Sequence, residues 1–224
     1  DTLRSSLAHI LMSRDGPILR PGTRSYARSW IRDGAMISEG LLRLGQTNVA
    51  ADYADWYSKH LFSSGKVPCC VDFKGADPVP ENDSHGEYIF LLADLYRFGG
   101  DKAALARHWP AILGAERYME TLRATTQSDA PWLRGLMPPS VCHEGYSAKP
   151  QYSLWDDFWA LRGYKDAAFV AEVLGKPEAG AIAQHRDQFE ADMLAAIASA
   201  ANRWKIGFIP GATSLGDFDA TSTT

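Results

Sequence analysis

Two kinds of helical segment alternate along this chain, and the alternation leaves few folds open. The segment opened by Asn82-Asp83-Ser84-His85-Gly86-Glu87 carries Tyr88, Phe90, Leu91, Leu92, Leu95 and Tyr96 nearly all round. A helix apolar all round is a buried one. Ile31 to about Gly45, with Ile31, Ala35, Ile37, Leu41, Leu42 and Leu44, is similarly apolar, and so is Tyr152 to about Leu174. Between them lie helices apolar on one stripe. Thr47 to about Phe62 shows Tyr53, Trp56, Tyr57, His60 and Leu61 at helical spacing. A helix capped by Asp101 shows Leu105, Trp109, Ile112, Met119 and Leu122, with Pro110 predicting a kink. A third, started by Pro177, shows Ile182, Phe189, Met193, Ala196, Ile197 and Ala200. Long loops precede the buried helices and carry polar and aromatic residues; short turns precede the striped ones. No fixed motif repeats. The expected fold is all-α: successive helical hairpins with an inner and an outer layer, an α/α toroid with its chemistry on one rim.

Smaller features fill in the frame. Thr2 to Ser13 reads as a short helix with Leu3, Leu7, Ile10 and Leu11 on one side, ended by Asp15-Gly16-Pro17. Residues 66–82 read as an irregular loop with a short strand within Val67 to Phe73. Gly34 and Gly40 are expected to leave room for close packing, at some cost in helix propensity.

Several function classes are excluded. Net charge is −4 and no basic run is present, so a nucleic-acid partner is not expected. No apolar stretch approaches the roughly 20 residues of a membrane span. The three cysteines, Cys69, Cys70 and Cys142, form no disulfide framework and lack zinc-site spacing, so no metal is expected. There is no phosphate-binding glycine loop and no nucleophile elbow. No cofactor is implied. The chain begins at Asp1 without Met and reads as a segment of a longer protein.

Three inner-helix starts carry the candidate chemistry: Trp30-Ile31-Arg32-Asp33, Asp83-Ser84-His85-Gly86-Glu87 and Leu154-Trp155-Asp156-Asp157. Each sets a carboxylate beside aromatic or cationic groups. Glycosidic hydrolysis needs such a rim, with one carboxylic acid to protonate the leaving oxygen, a carboxylate to activate water or attack, and clamps for hydroxyls. Plainer readings stand beside this one. Arg32 and Asp33 can be an internal ion pair that ties down a loop. Asp157 can be a helix-start carboxylate favoured by the dipole. His85 can be a core or loop histidine. His143 and Glu144 can be rim ligands or simply solvated. Asp156, beside Trp155 in an aromatic stretch, is the favoured general acid, because desolvation raises a carboxyl pKa.

At these motifs the sequence resembles the six-hairpin glycosidases, the (α/α)6-barrel superfamily, nearest to the glucoamylase and bacterial trehalase branch. The resemblance spans about residues 20–165. It implies that Trp30, Arg32 and Asp33 bind the terminal sugar, as the Trp-x-Arg-Asp segment does there. Asp83 to Glu87 is similar to an Asp-x-Tyr-Gly-Glu segment, with His85 in place of Tyr. Leu154-Trp155-Asp156 looks like a Leu/Ile-Trp-Glu segment that holds the general acid, with Asp in place of Glu. The implied activity is an inverting glycoside hydrolase acting on a carbohydrate, with Asp156 as acid and Glu87 and Trp155 assisting in the sugar site. The full barrel has six hairpins and this chain supplies little more than half. One catalytic domain over residues 1–224, cut short at its C-terminus, is therefore expected. Such a partial barrel exposes inner apolar surface and is expected to dimerise or to need its missing half. The general base is then absent, or is Glu144 or Asp157. Two other readings remain open: a sugar phosphorylase or an epimerase using His85 and His143 on the same barrel, and a non-catalytic carbohydrate-binding module.

Overall fold

The structure, a computed structural model, describes every residue except Asp129, His143, Glu144 and 219–224, and leaves the side chain of Ser25 undescribed. Among the described residues there are seven helices: α1 (Thr2–Ser13), α2 (Ile31–Arg43), α3 (Thr47–Tyr57), α4 (Ser84–Gly99), α5 (Lys102–Ala124), α6 (Leu154–Leu174) and α7 (Ala179–Trp204). A turn of 3-10 helix, Ser58–His60, prolongs α3. Helices α2 and α3, α4 and α5, and α6 and α7 form three consecutive hairpins. Within them α4 packs on both α2 and α6, so α2, α4 and α6 make the inner layer and α3, α5 and α7 the outer one. This is a partial α/α toroid.

The burial follows the residue pattern. Ser84 through Asp94 of α4 are buried without a break, as its apolar circumference requires. The outer helix α5 buries one stripe, Leu105, Trp109, Ile112, Ala115 and Met119, and α7 buries Ile182, Phe189, Met193, Ala196 and Ala200. Tyr53, Tyr57, Tyr88, Ile112, Tyr164 and Phe189 are among the large side chains sealed between the layers. Each such burial is worth about 1.5–3 kcal/mol relative to exposure. Asp101 caps α5 by accepting the Ala104 N–H at 2.9 Å. Gly100 and Gly175, at φ +69° and +65°, end α4 and α6 in the left-handed conformation that glycine adopts without strain.

Close approach fixes the inner layer. A Cβ on Gly86 of α4 would run into the Trp159 carbonyl of α6, and one on Gly163 of α6 would lie 2.7 Å from the Gly86 Cα. Gly34 of α2 likewise faces the Tyr53 hydroxyl with no room for a methyl group. Gly40 does not share that role: a Cβ there meets nothing within 4 Å.

Other local expectations are revised. Helix α1 has no fully buried residue; Leu7, Ile10 and Leu11 lean on the core, but Leu3 is 70% exposed. The fold is not purely helical. A small antiparallel sheet joins β1 (Ser29–Trp30), β2 (Cys70–Asp72) and β3 (Gly75–Ala76), pairing Trp30 with Cys70 and Val71 with Ala76. Strand β2 falls within the short strand expected over Val67 to Phe73; β1 and β3, two residues each, are too short for an alternating pattern to show in sequence. The inner layer does expose apolar surface, with Met36 at 40% and Phe158 at 45%. No helix among the described residues is long and apolar enough to cross a membrane.

Candidate active site

The sheet sets up the first wall of the site. Pairing of β1 with β2 fixes Trp30, and the Ile31 N–H donates to the Cys69 carbonyl at 3.0 Å, which pins the entry to α2. The Tyr53 hydroxyl donates to the Trp30 carbonyl at 3.3 Å. Arg28 lies over the Trp30 ring, 5.7 Å from its centroid, and is held there by Asp72 at 2.8 Å and Asp77 at 3.1 Å. Trp30 therefore presents a fixed edge at the start of α2.

Arg32, in the first turn of α2, reaches across to the approach of α4. One of its amino groups, Nη1, donates to Glu81 at 2.7 Å and to Asp83 at 3.2 Å. Trp155, in the first turn of α6, donates its indole N–H to the same Asp83 oxygen at 2.8 Å. Asp83 is thus the point where α2, the α4 approach and α6 meet. Glu87 lies one helical turn beyond it, fully buried, and neither of its carboxyl oxygens has a hydrogen-bond partner among the described residues. Asp156 is also fully buried; its Oδ2 accepts from the Ser140 hydroxyl, and its Oδ1 has no partner.

Four carboxyl groups, Glu81, Asp83, Glu87 and Asp156, therefore stand against one guanidinium. Burying all four ionised is prohibitive, so protons must make up the balance. Burial, then Asp83, pushes the Glu87 carboxyl well above the usual carboxylate range, with Arg32 pulling the other way. Burial, then Asp83, likewise pushes Asp156 well above that range, partly opposed by the Ser140 hydrogen bond and reinforced by Asp157 and Glu81. Burial works against the charge on Arg32, but Asp83, Glu87 and Glu81 outweigh it and hold the guanidinium firmly protonated.

The remaining candidates lie differently. Asp33 is partly buried, has a partner of its own, and disfavours ionisation of Tyr53 behind it. Asp157, next to Asp156, is turned away from the acid cluster. Its Oδ1 accepts the Met137 N–H at 2.9 Å, and burial lifts its pKa to about 7, with Met137 and Arg123 opposing. His85 faces α5, stacked on Tyr118 with centroids 5.0 Å apart, its Nδ1 3.3 Å from the Asn82 carbonyl oxygen. Burial lowers its pKa to about 4, so it is neutral at ordinary pH. Glu144 and His143 lie outside the described residues.

Two members of the cluster, Glu81 and Ser140, were not singled out from sequence. Both sit in irregular loops, where no periodicity marks a side chain's direction. Glu81 lies two residues before Asp83, the one local hint available. Trp155 also lines an open hollow of about 420 Å³ on the inner face with Glu39, Phe90, Phe158, Trp159 and Arg162. Elsewhere, the fold brings Asp77 beside Cys69 and Cys70, with ligand-type atoms all within 4.8 Å of one another, a grouping that cysteine spacing alone did not reveal. Arg28 already donates to Cys70 Sγ at 3.3 Å and to Asp77, so a fixed positive charge competes with any cation there.

No protein-family model and no curated protein sequence matches this chain. Its structure is similar to those of glycosidases. A GH63 mannosylglycerate hydrolase from Thermus thermophilus, solved with glucose, superposes with a TM-score of 0.67 at 12% identity, covering 87% of this chain and 63% of that one. An alpha-L-rhamnosidase from Dictyoglumus thermophilum gives 0.65 at 14% identity, covering 97% of this chain and 24% of that one. A protein described as a glycosidase gives 0.64 at 19% identity, covering 84% and 54%. The chain thus spans less than two thirds of the length of these neighbours. At such identities the likeness establishes the fold alone: this chain is a partial α/α toroid, similar in fold to these glycosidases.

Proposed function

We propose that this chain carries the sugar-binding rim and the general acid of a glycoside hydrolase. The observation that bears most weight is Asp156: a fully buried carboxyl whose surroundings, burial first, push its pKa well above the usual carboxylate range, beside Trp155 and the Arg32–Asp83 contact, at the N-terminal end of an inner helix. A general acid must hold its proton at the working pH and deliver it to the leaving oxygen. In this reading Trp155 and Trp30 supply aromatic faces for a sugar ring, and the inner-face hollow beside Trp155 takes the rest of the glycoside. Arg32 and Asp33, with Asp83 and Glu87, hold sugar hydroxyls. Asp157 tethers the Met137 segment and His85 packs under Tyr118, so both are assigned to structure rather than to sugar contact.

The reaction is assigned as inverting by analogy of fold. The Asp156 proton passes to the glycosidic oxygen as the bond to the anomeric carbon breaks, and water adds to that carbon while giving its proton to a general base. No described carboxylate is placed as that base, and it is assigned to chain beyond these three hairpins. Asp156 has no solvent exposure, so proton delivery also requires the surrounding chain to open as sugar enters. The epimerase reading loses support from His85, which is buried and stacked away from the acid cluster.

The test is sugar release from a panel of α- and β-linked glucosides, trehalose, mannosides and rhamnosides. It is run with residues 1–224 and with the longest protein their gene encodes. Release of free sugar is expected from the longer protein, and release from no substrate overturns the hydrolase reading.

A further inference from the structure

Ser140, in contact with Asp156, is held in place from several sides. Its backbone is clamped on both sides. The Ser140 N–H donates to the Gln151 carbonyl at 3.0 Å, and the Gln151 N–H returns to the Ser140 carbonyl at 3.1 Å. Its neighbours are tied to the approach of α4: the Val141 N–H donates to the Pro80 carbonyl at 3.1 Å, and Asn82 Nδ2 donates to the Pro138 carbonyl at 2.8 Å. The Ser140 side chain is fully buried on this bridge between the α4 approach and α6.

The hydroxyl's hydrogen bonds have an assignable direction. The Cys142 N–H donates to Ser140 Oγ at 2.8 Å, and a backbone N–H can only donate. The Ser140 hydroxyl in turn donates to Asp156 Oδ2. Oδ2 is therefore occupied as an acceptor. Oδ1 is buried and has no partner among the described residues. The two oxygens of one carboxyl group are made unequal by one neighbour.

We infer that Ser140 is a positioning residue for Asp156: by accepting from Cys142 and donating to Oδ2, it keeps the transferable proton on Oδ1. This rests on the reading of Asp156 as general acid. The other charged or titratable groups around Asp156 are Asp83 and Glu81 from the approach of α4, Glu87 on α4 and, beside it on its own helix though turned away, Asp157; Arg32 of α2 pairs with Glu81 and Asp83. Asp83, then Asp157 and Glu81, push the proton onto Asp156. Ser140 opposes them by stabilising the ionised form, so it sets how readily the proton leaves as well as where it sits.

The experiment compares wild type, Ser140→Ala, Ser140→Thr and Asp156→Asn by two readouts. The first needs no substrate: a carbon-13 NMR titration of aspartate carboxyls, with the Asp156 signal identified by its loss in Asp156→Asn. Ser140→Ala is expected to raise the Asp156 midpoint by about one pH unit, the scale of a hydrogen bond to a charged group, and Ser140→Thr to restore it. The second is the pH profile of sugar release. Ser140→Ala is expected to move the alkaline limb upward by a similar amount and to lower kcat by roughly tenfold with KM little changed. Should Ser140→Ala fail to fold, Ser140→Cys, a weaker donor of similar size, replaces it with a smaller upward shift expected. An unmoved Asp156 midpoint and alkaline limb in a folded Ser140 variant, with Asp156→Asn inactive, overturn the inference and leave the acid assignment standing. Full activity in Asp156→Asn instead overturns the acid assignment, and the catalytic role of Ser140 with it.

Discussion

Asp156 and Asp157 are neighbours in sequence and nearly equal in burial, yet they face different surroundings. Asp156 looks into the cluster of Glu81, Asp83 and Glu87; Asp157 looks at the Met137 N–H and Arg123. Successive helical positions differ by about 100°, so one side chain can serve a site while the next holds a loop. This gives Asp157 a pH signature of its own. Its pKa is about 7 in the folded chain, against 3.8 for an unperturbed carboxyl. The folded state thus binds this proton more tightly than the unfolded state does. The contribution to stability is fully present below pH 3.8 and is lost as the pH rises through about 7. Asp157→Asn can still accept from Met137 but carries no titrating proton. Its thermal midpoint is expected to gain on wild type as the pH is raised from 4.5 to 8, measured by circular dichroism. A constant difference across that range contradicts the assignment.

At the scale of elements, the three inner helices are held together by missing side chains as much as by present ones. Gly34 faces the Tyr53 hydroxyl, and Gly86 and Gly163 let α4 and α6 approach backbone to backbone. Gly34→Ala and Gly86→Ala are expected to destabilise the fold by about 1–3 kcal/mol or more through overpacking. Gly40→Ala, on the same helix as Gly34 but meeting open space, is expected to stabilise it by about 0.5–1 kcal/mol through helix propensity. Urea denaturation of the three variants checks both signs at once. The contrast also marks how far sequence could be read. The helices, their order and their inner or outer place were legible because apolar residues recur at the helical period. Gly34 and Gly40 looked alike because their difference lies in the residue opposite, which no local pattern reports. The same limit hid β1, two residues long, and the contacts of Glu81 and Ser140. Those contacts join positions 49 and 16 residues apart in chain. Trp30, Arg32, Asp83, Trp155 and Asp156 were legible as a group because each stands at or beside the start of an inner helix.

At the scale of the molecule, α2, α4 and α6 present an inner face that is only partly covered. Phe158 and Met36 stand exposed there, next to the hollow lined by Trp155, Trp159 and Phe90. Apolar surface of this kind binds apolar dyes and other apolar surfaces. Residues 1–224 are expected to enhance the fluorescence of anilinonaphthalene sulfonate, and Phe158→Ser to reduce that enhancement. Equal fluorescence in the two chains places the exposed apolar surface elsewhere. The neighbours in structure are longer than this chain, which covers 63%, 24% and 54% of the three compared. The same rim of helix starts carries Asp156, Arg32 and the tryptophans Trp30 and Trp155. A change to one buried carboxyl should therefore remove turnover without removing the sugar site.

The decisive measurement is the rate of sugar release by Asp156→Asn relative to wild type, on whichever glycoside the panel identifies, in the longest protein that carries this chain. The account predicts a loss of at least about a hundredfold in kcat with sugar binding retained. Asparagine fills the same space but has no carboxyl proton to give. Turnover close to wild type would show that another group protonates the leaving oxygen and would remove Asp156 from the centre of the mechanism.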